Sequence, residues 1–110
     1  MRLLALACVW VLLLTAANAI PKKGVNVCNA GQAAITSITA APSVRPSWAY
    51  ALLATSSPAL NRGRCATFTI MDGTSYCSYN FLATSSNGRR NWIIGMNVCA
   101  THTPSWKVIN

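Results

Sequence analysis

The sequence offers one carboxylate side chain, Asp72, and one imidazole, His102. Hydrolases and nucleases of this size rely on positioned general acids and bases, usually a pair drawn from His, Asp and Glu. Glycoside hydrolysis normally takes two carboxyl groups. Asp72 stands before Gly73 in a turn signal, and His102 lies in Thr101-His102-Thr103-Pro104, which reads as a surface loop. No phosphate-binding loop, nucleotide fingerprint or metal-ligand cluster occurs. These residues argue against an enzyme, and neither a cofactor nor a metal is expected.

Cysteine thiols are the remaining nucleophiles to consider. Of Cys8, Cys28, Cys65, Cys77 and Cys99, the first sits in a stretch built like a secretory signal. Met1-Arg2 supplies a short positive start, Leu3 to Leu14 is uninterrupted apolar sequence, and Ala17-x-Ala19 fits the small-residue rule for cleavage. The apolar run falls well short of the roughly 20 residues that span a bilayer. A lipoprotein reading of Cys8 would leave only a stub of apolar sequence before the cysteine. Residues 1–19 are thus expected to be a signal peptide, and residues 20–110 a single small domain, secreted and extracellular. Cleavage leaves four cysteines, an even number that points to two disulfides and no free thiol. A zinc site competes for these residues, but there is no C-x-x-C pair and a single histidine.

The charge balance is lopsided. The chain carries +8, and loss of Arg2 leaves +7 on the side chains. Lys22, Lys23, Arg45, Arg62, Arg64, Arg89, Arg90 and Lys107 stand against Asp72 alone. Such asymmetry implies an anionic partner: phosphate, lipid headgroup, acidic polysaccharide or acidic protein. Net charge that merely keeps a small secreted protein soluble is the plainer explanation.

The elements that must position these groups read as mainly β. Ile20 to Gly24 is expected to be a flexible lead, Val25 to Cys28 alternates as a half-buried strand does, and 32–39 is a second strand. Ala40 to Ser47, with Pro42 and Pro46, reads as a loop, and 48–54 fits either a short helix or a strand. Thr55 to Gly63 is loop again. Asp72-Gly73 and Asn87-Gly88 are two-residue hairpin signals between the β-prone runs Cys65–Met71, Thr74–Leu82 and Asn91–Cys99. Counted through these turns, Phe68 faces Cys77, Ile70 faces Ser75, Phe81 faces Ile94 and Tyr79 faces Met96. One face of this antiparallel meander then holds Ala66, Phe68, Ile70, Cys77, Tyr79, Phe81, Trp92, Ile94, Met96 and Val98, and a one-residue slip would scramble it. The apolar face needs a cover, drawn from Val25 to Cys28, part of 32–39 and the C-terminal Trp106 to Ile109. The expected fold is a small disulfide-braced β-sandwich or partly open barrel, with at most one short helix.

The same register bears on the disulfides. Cys77 faces Val98, so a bulge near Gly95 could bring Cys99 to it. Cys65 is displaced three residues from Cys77, roughly 10 Å at about 3.4 Å per residue, too far for a bond. Cys77–Cys99 with Cys28–Cys65 is favoured, and Cys28–Cys77 with Cys65–Cys99 satisfies facing but fails on distance.

In the meander Arg62, Arg64, Arg89 and Arg90 gather at one end of the sheet and Asp72 at the other. Guanidinium forks suit phosphate and carboxylate, so this end is the candidate anion-binding site. Solvated arginines scattered at strand ends are the plainer alternative. Tyr50, Tyr76, Trp48 and Trp106 could assist a carbohydrate or nucleic-acid contact, although at least half should serve the core. The expected function is a secreted, effector-like interaction protein, monomeric, that binds an anionic macromolecule. The alternative is an antimicrobial or toxin-like protein acting on anionic membranes or cell walls, which the lack of a charged amphipathic helix disfavours.

Overall fold

A computed structural model of the chain describes residues 21–46 and 50–110. The expected signal peptide and Trp48 lie outside these residues. Seven strands follow one another: β1 (Gly24–Asn29), β2 (Ile35–Pro42), β3 (Tyr50–Leu53), β4 (Cys65–Thr69), β5 (Ser78–Ser85), β6 (Arg90–Asn97) and β7 (Ser105–Val108). They form a three-stranded sheet, β4-β1-β7, and a four-stranded sheet, β3-β2-β5-β6, neither closed into a barrel. The described residues hold no helix; of the 48–54 stretch, Tyr50–Leu53 form β3, paired antiparallel with β2, and residues 48 and 49 lie outside the described residues.

Period-two patterning explains which side each strand buries. Val25 and Val27 of β1, Tyr79, Phe81 and Ala83 of β5, and Trp106 and Val108 of β7 all turn inward, joined by Ile35 and Ile38 of β2. Phe81 meets Trp106 across the gap between the sheets at 6.1 Å between ring centroids, so aromatic packing fastens one layer to the other. The cover for the apolar face does come from the first strand and the last, which pair in parallel. β2 differs from expectation in running on through Pro42, and it joins the sheet that contains β5.

Two corrections concern the meander. β4 does not pair with β5: Val25 faces Phe68, and Cys28 faces Cys65 in the antiparallel β1–β4 ladder. The Asp72-Gly73 turn lies inside a crossover between the sheets, where the Asp72 carboxylate accepts the Thr74 N–H. An Asp-Gly pair marks a change of direction, and here the buried partners of Asp72 decide where the chain goes next.

The second hairpin exists, but its turn is longer than the two residues expected. The Ser85 N–H donates to Arg89 O and the Gly88 N–H to Ser85 O, with Gly88 at φ +84°. That extra residue pairs Phe81 with Ile93 instead of Ile94. Trp92 and Ile94, expected inside, are therefore 51% and 69% exposed. A bulge at Ile94-Gly95, opposite Asn80, adds one residue back, with Gly95 at φ +71° and its N–H donated to Asn80 Oδ1. Beyond it Tyr79 faces Met96 as expected.

Both favoured disulfides form, Cys28–Cys65 and Cys77–Cys99. The first rests on β1–β4 pairing, not on the hairpin distance used to exclude its competitor. The second is allowed because β6 ends at Asn97, so Cys99 lies in a turn where strand alternation no longer fixes its direction.

Candidate anion-binding end and the opposite pole

Leu60 pairs with Ile35, Ile35 with Ser85, and the Ser85 N–H donates to Arg89 O. This row of neighbours brings the 60–64 loop and the 85–89 turn to the same end of the sandwich. Arg62, Arg64, Arg89 and Arg90 are all exposed there. Lys107, outside the expected cluster, belongs to the same end. It faces Cys28 in the parallel ladder, Cys28 faces Cys65, and Arg64 adjoins Cys65. Its outward position follows from the alternation along β7, where Trp106 and Val108 are buried and Ser105 and Lys107 exposed.

Two asparagines hold this end in shape. The buried Asn29 takes the 60–64 loop by main chain and side chain together. Its N–H donates to Arg64 O at 2.8 Å, its carbonyl accepts the Gly63 N–H at 2.9 Å, and its Nδ2 donates to Leu60 O at 2.9 Å. Asn110 reaches the other turn, with Nδ2 donating to Ser85 Oγ at 2.7 Å and to Ala33 O at 2.8 Å. Asn29 Nδ2 also donates to Ala33 O, so both clamps meet on one carbonyl. No local pattern announces these roles, because the partners lie 31 and 77 residues away in sequence.

At the opposite pole stands a buried ion pair. The Lys23 ammonium, expected in a flexible lead, is on a residue only 3% exposed. The main chain explains the difference: Lys23 O accepts the Ile70 N–H, so the strand has effectively begun. Lys23 Nζ donates to Asp72 Oδ1 at 2.7 Å, to Thr74 Oγ1 at 3.0 Å and to the Tyr79 hydroxyl, which in turn donates to Asp72 Oδ2. It also lies 4.7 Å from the Tyr79 ring centroid. Burial alone would push the Lys23 pKa down, but hydrogen bonds and charge from Asp72 and Tyr79 outweigh it and raise the value. Burial likewise opposes ionisation of Asp72, yet hydrogen bonds from Lys23, Tyr79 and Thr74 hold its carboxyl far below the usual carboxylate range.

The chain's only acidic side chain is thus neutralised internally. Lys22, Arg45, Arg62, Arg64, Arg89, Arg90 and Lys107 are exposed with no carboxylate side chain left to offset them. Five of these cations sit at the asparagine-clamped end, while Lys22 and Arg45 lie towards the ion-pair pole.

Beside the ion pair is an open cleft of about 260 Å³, lined by Ala40, Pro42, Arg45, Tyr50, Asp72, Thr74 and Tyr76. Tyr50 and Tyr76, two of the aromatics singled out from sequence, are therefore at a cavity, whereas Trp106 is core. His102 is exposed in a loop. Among the described residues no three His, Cys, Asp or Glu side chains come together, and no helix is long and apolar enough to cross a membrane. No family model, curated protein or solved structure matches the chain.

Proposed function

We propose that the mature chain is a small, secreted, disulfide-braced interaction protein that binds an anionic macromolecule at its arginine-bearing end. The observation that carries this reading is the separation of charge. The one carboxylate side chain is consumed by Lys23 at one pole, and five exposed cations stand towards the other, Arg62, Arg64 and Arg89 on the clamped loops and Arg90 and Lys107 on the adjoining strands. Positive groups held on a rigid frame lose little freedom on binding and suit multivalent contact with a phosphate, sulfate or carboxylate polymer. With Asp72 held by Lys23, no carboxylate side chain is left to compete for the guanidinium groups.

The test compares two variants of equal charge loss, Arg89→Gln with Arg90→Gln, and Lys22→Gln with Arg45→Gln. Affinity for long-chain polyphosphate is measured by titration calorimetry over a salt series. The arginine-end variant is expected to lose about tenfold at low salt, from contacts individually worth about 0–1 kcal/mol when exposed. The loss should shrink as salt screens the attraction. Equal losses in the two variants would mean that diffuse net charge governs binding and would defeat the localised site. Anionic vesicles assayed in parallel address membrane attack, which predicts leakage that polyphosphate binding does not.

A further inference from the structure

We infer that the cleft beside the Lys23–Asp72 pair is a second binding site, for a ring carrying several hydroxyls and one carboxylate, as a sugar acid does. The inference does not rest on the arginine end, which lies at the other pole.

The lining supplies each part of that ligand's recognition. Arg45 brings an exposed guanidinium, a bidentate partner for a carboxylate, and none of the hydrogen bonds among the described residues uses it. Asp72 faces the same space with Oδ1 fully engaged by Lys23 and Thr74, while Oδ2 accepts one bond, from Tyr79, and keeps a lone pair. Its charge is already balanced by Lys23, so the group it suits is a neutral hydroxyl donor and not a second cation. The Tyr50 hydroxyl accepts the Met71 N–H, which leaves its own proton to donate. The Tyr76 hydroxyl enters none of the hydrogen bonds among the described residues.

Charge and size narrow the class further. The lining carries one uncompensated positive charge, that of Arg45, and so selects a monoanion. About 260 Å³ is below the roughly 300–1,000 Å³ of drug-sized pockets, which restricts the occupant to one ring. Two tyrosines give that ring apolar surface to pack on, and the surrounding donors and acceptors match hydroxyls instead of a bare hydrocarbon.

Isotope-labelled mature protein titrated with D-glucuronate, followed by amide chemical shifts, tests the site. Saturable shifts at Ala40, Thr74 and Tyr76 are expected, with D-glucose and acetate each binding about tenfold more weakly because each lacks half of the recognition. Arg45→Gln should weaken glucuronate by about tenfold, and Tyr76→Phe by less, since it deletes one neutral hydroxyl. Arg45 is exposed and Tyr76→Phe keeps the packed ring, so both variants should retain the wild-type melting temperature. The Arg89→Gln, Arg90→Gln variant should bind glucuronate normally even where it loses polyphosphate. No saturable shift, acetate as effective as glucuronate, or glucuronate binding indifferent to Arg45→Gln would each overturn the inference.

Discussion

At the level of single side chains, the Lys23–Asp72 pair carries the sharpest consequences. Lys23 has three hydrogen-bond acceptors and almost no contact with water, so removing the carboxylate leaves a buried cation uncompensated. Asp72→Asn is expected to lower unfolding free energy by about 3–5 kcal/mol in urea titrations at neutral pH. Lys22→Gln, one position earlier but exposed, should stay within about 0.5 kcal/mol. The pH dependence follows from the directions of the two shifts. Asp72 is depressed in the fold, so its contribution is present above the unfolded carboxyl value of about 3.9 and is lost as pH falls through the lower folded value. Lys23 is raised, so its contribution is complete below about 10.4 and disappears as pH climbs through the folded value. Melting temperature should therefore be level from about pH 5 to pH 9 and fall on both sides. With a single carboxylate side chain in the sequence, the acid limb belongs chiefly to one group, and Asp72→Asn should flatten it.

Among the elements, the loops at the arginine end depend on a close approach. A Cβ added at Gly31 would collide with the Asn110 side chain, whose amide ties Ala33 to Ser85. Gly31→Ala should thus cost about 1–3 kcal/mol in urea and also weaken polyphosphate binding, although no charge has changed. Unaltered affinity in a folded Gly31→Ala protein would show that the clamp is irrelevant to the site. Gly95 is a different case, because only Ser78 Oγ lies near its missing Cβ, at 3.8 Å. Gly95→Ala should cost about 1–2 kcal/mol through its positive φ alone, measurable by the same titration. These positions also explain what could be read beforehand. Strands β1, β5 and β7 were legible because Val25, Val27, Tyr79, Phe81, Trp106 and Val108 stand at alternate positions. The outward turn of Trp92 and Ile94 was not, since it needs both a turn one residue longer and a bulge that cancels it. The grouping of Arg62, Arg64, Arg89 and Arg90 at one end survives a wrong partner for β4, because β4 starts at that end in either arrangement; anion binding there is the proposal. Lys23 was missed because burial of a lysine is dictated by Asp72 and Tyr79, 49 and 56 residues away.

For the molecule as a whole, the two disulfides do separate jobs. Cys28–Cys65 closes 37 residues within the three-stranded sheet, and Cys77–Cys99 closes 22 around the β5–β6 hairpin. Neither ties one sheet to the other; the apolar core and the polar contacts at both poles do that. Loop-closure entropy gives each about 3–4 kcal/mol, so replacing either pair by serine should lower stability by that amount in urea titrations. Cys65 is exposed while Cys77 and Cys99 are half-buried, so a mild reductant should open Cys28–Cys65 first, as mass mapping of alkylated thiols would detect. The parallel contact of β1 with β7 adds a consequence about time. Asn26 and Ser105 are neighbours in the ladder yet 79 residues apart along the chain, and Trp106 fills the gap between the sheets. A polypeptide emerging N-terminus first cannot seal its interior until that strand has appeared. Until then the two sheets lack the strand that joins them, so closure of the core is expected to follow synthesis of the last strand rather than accompany it.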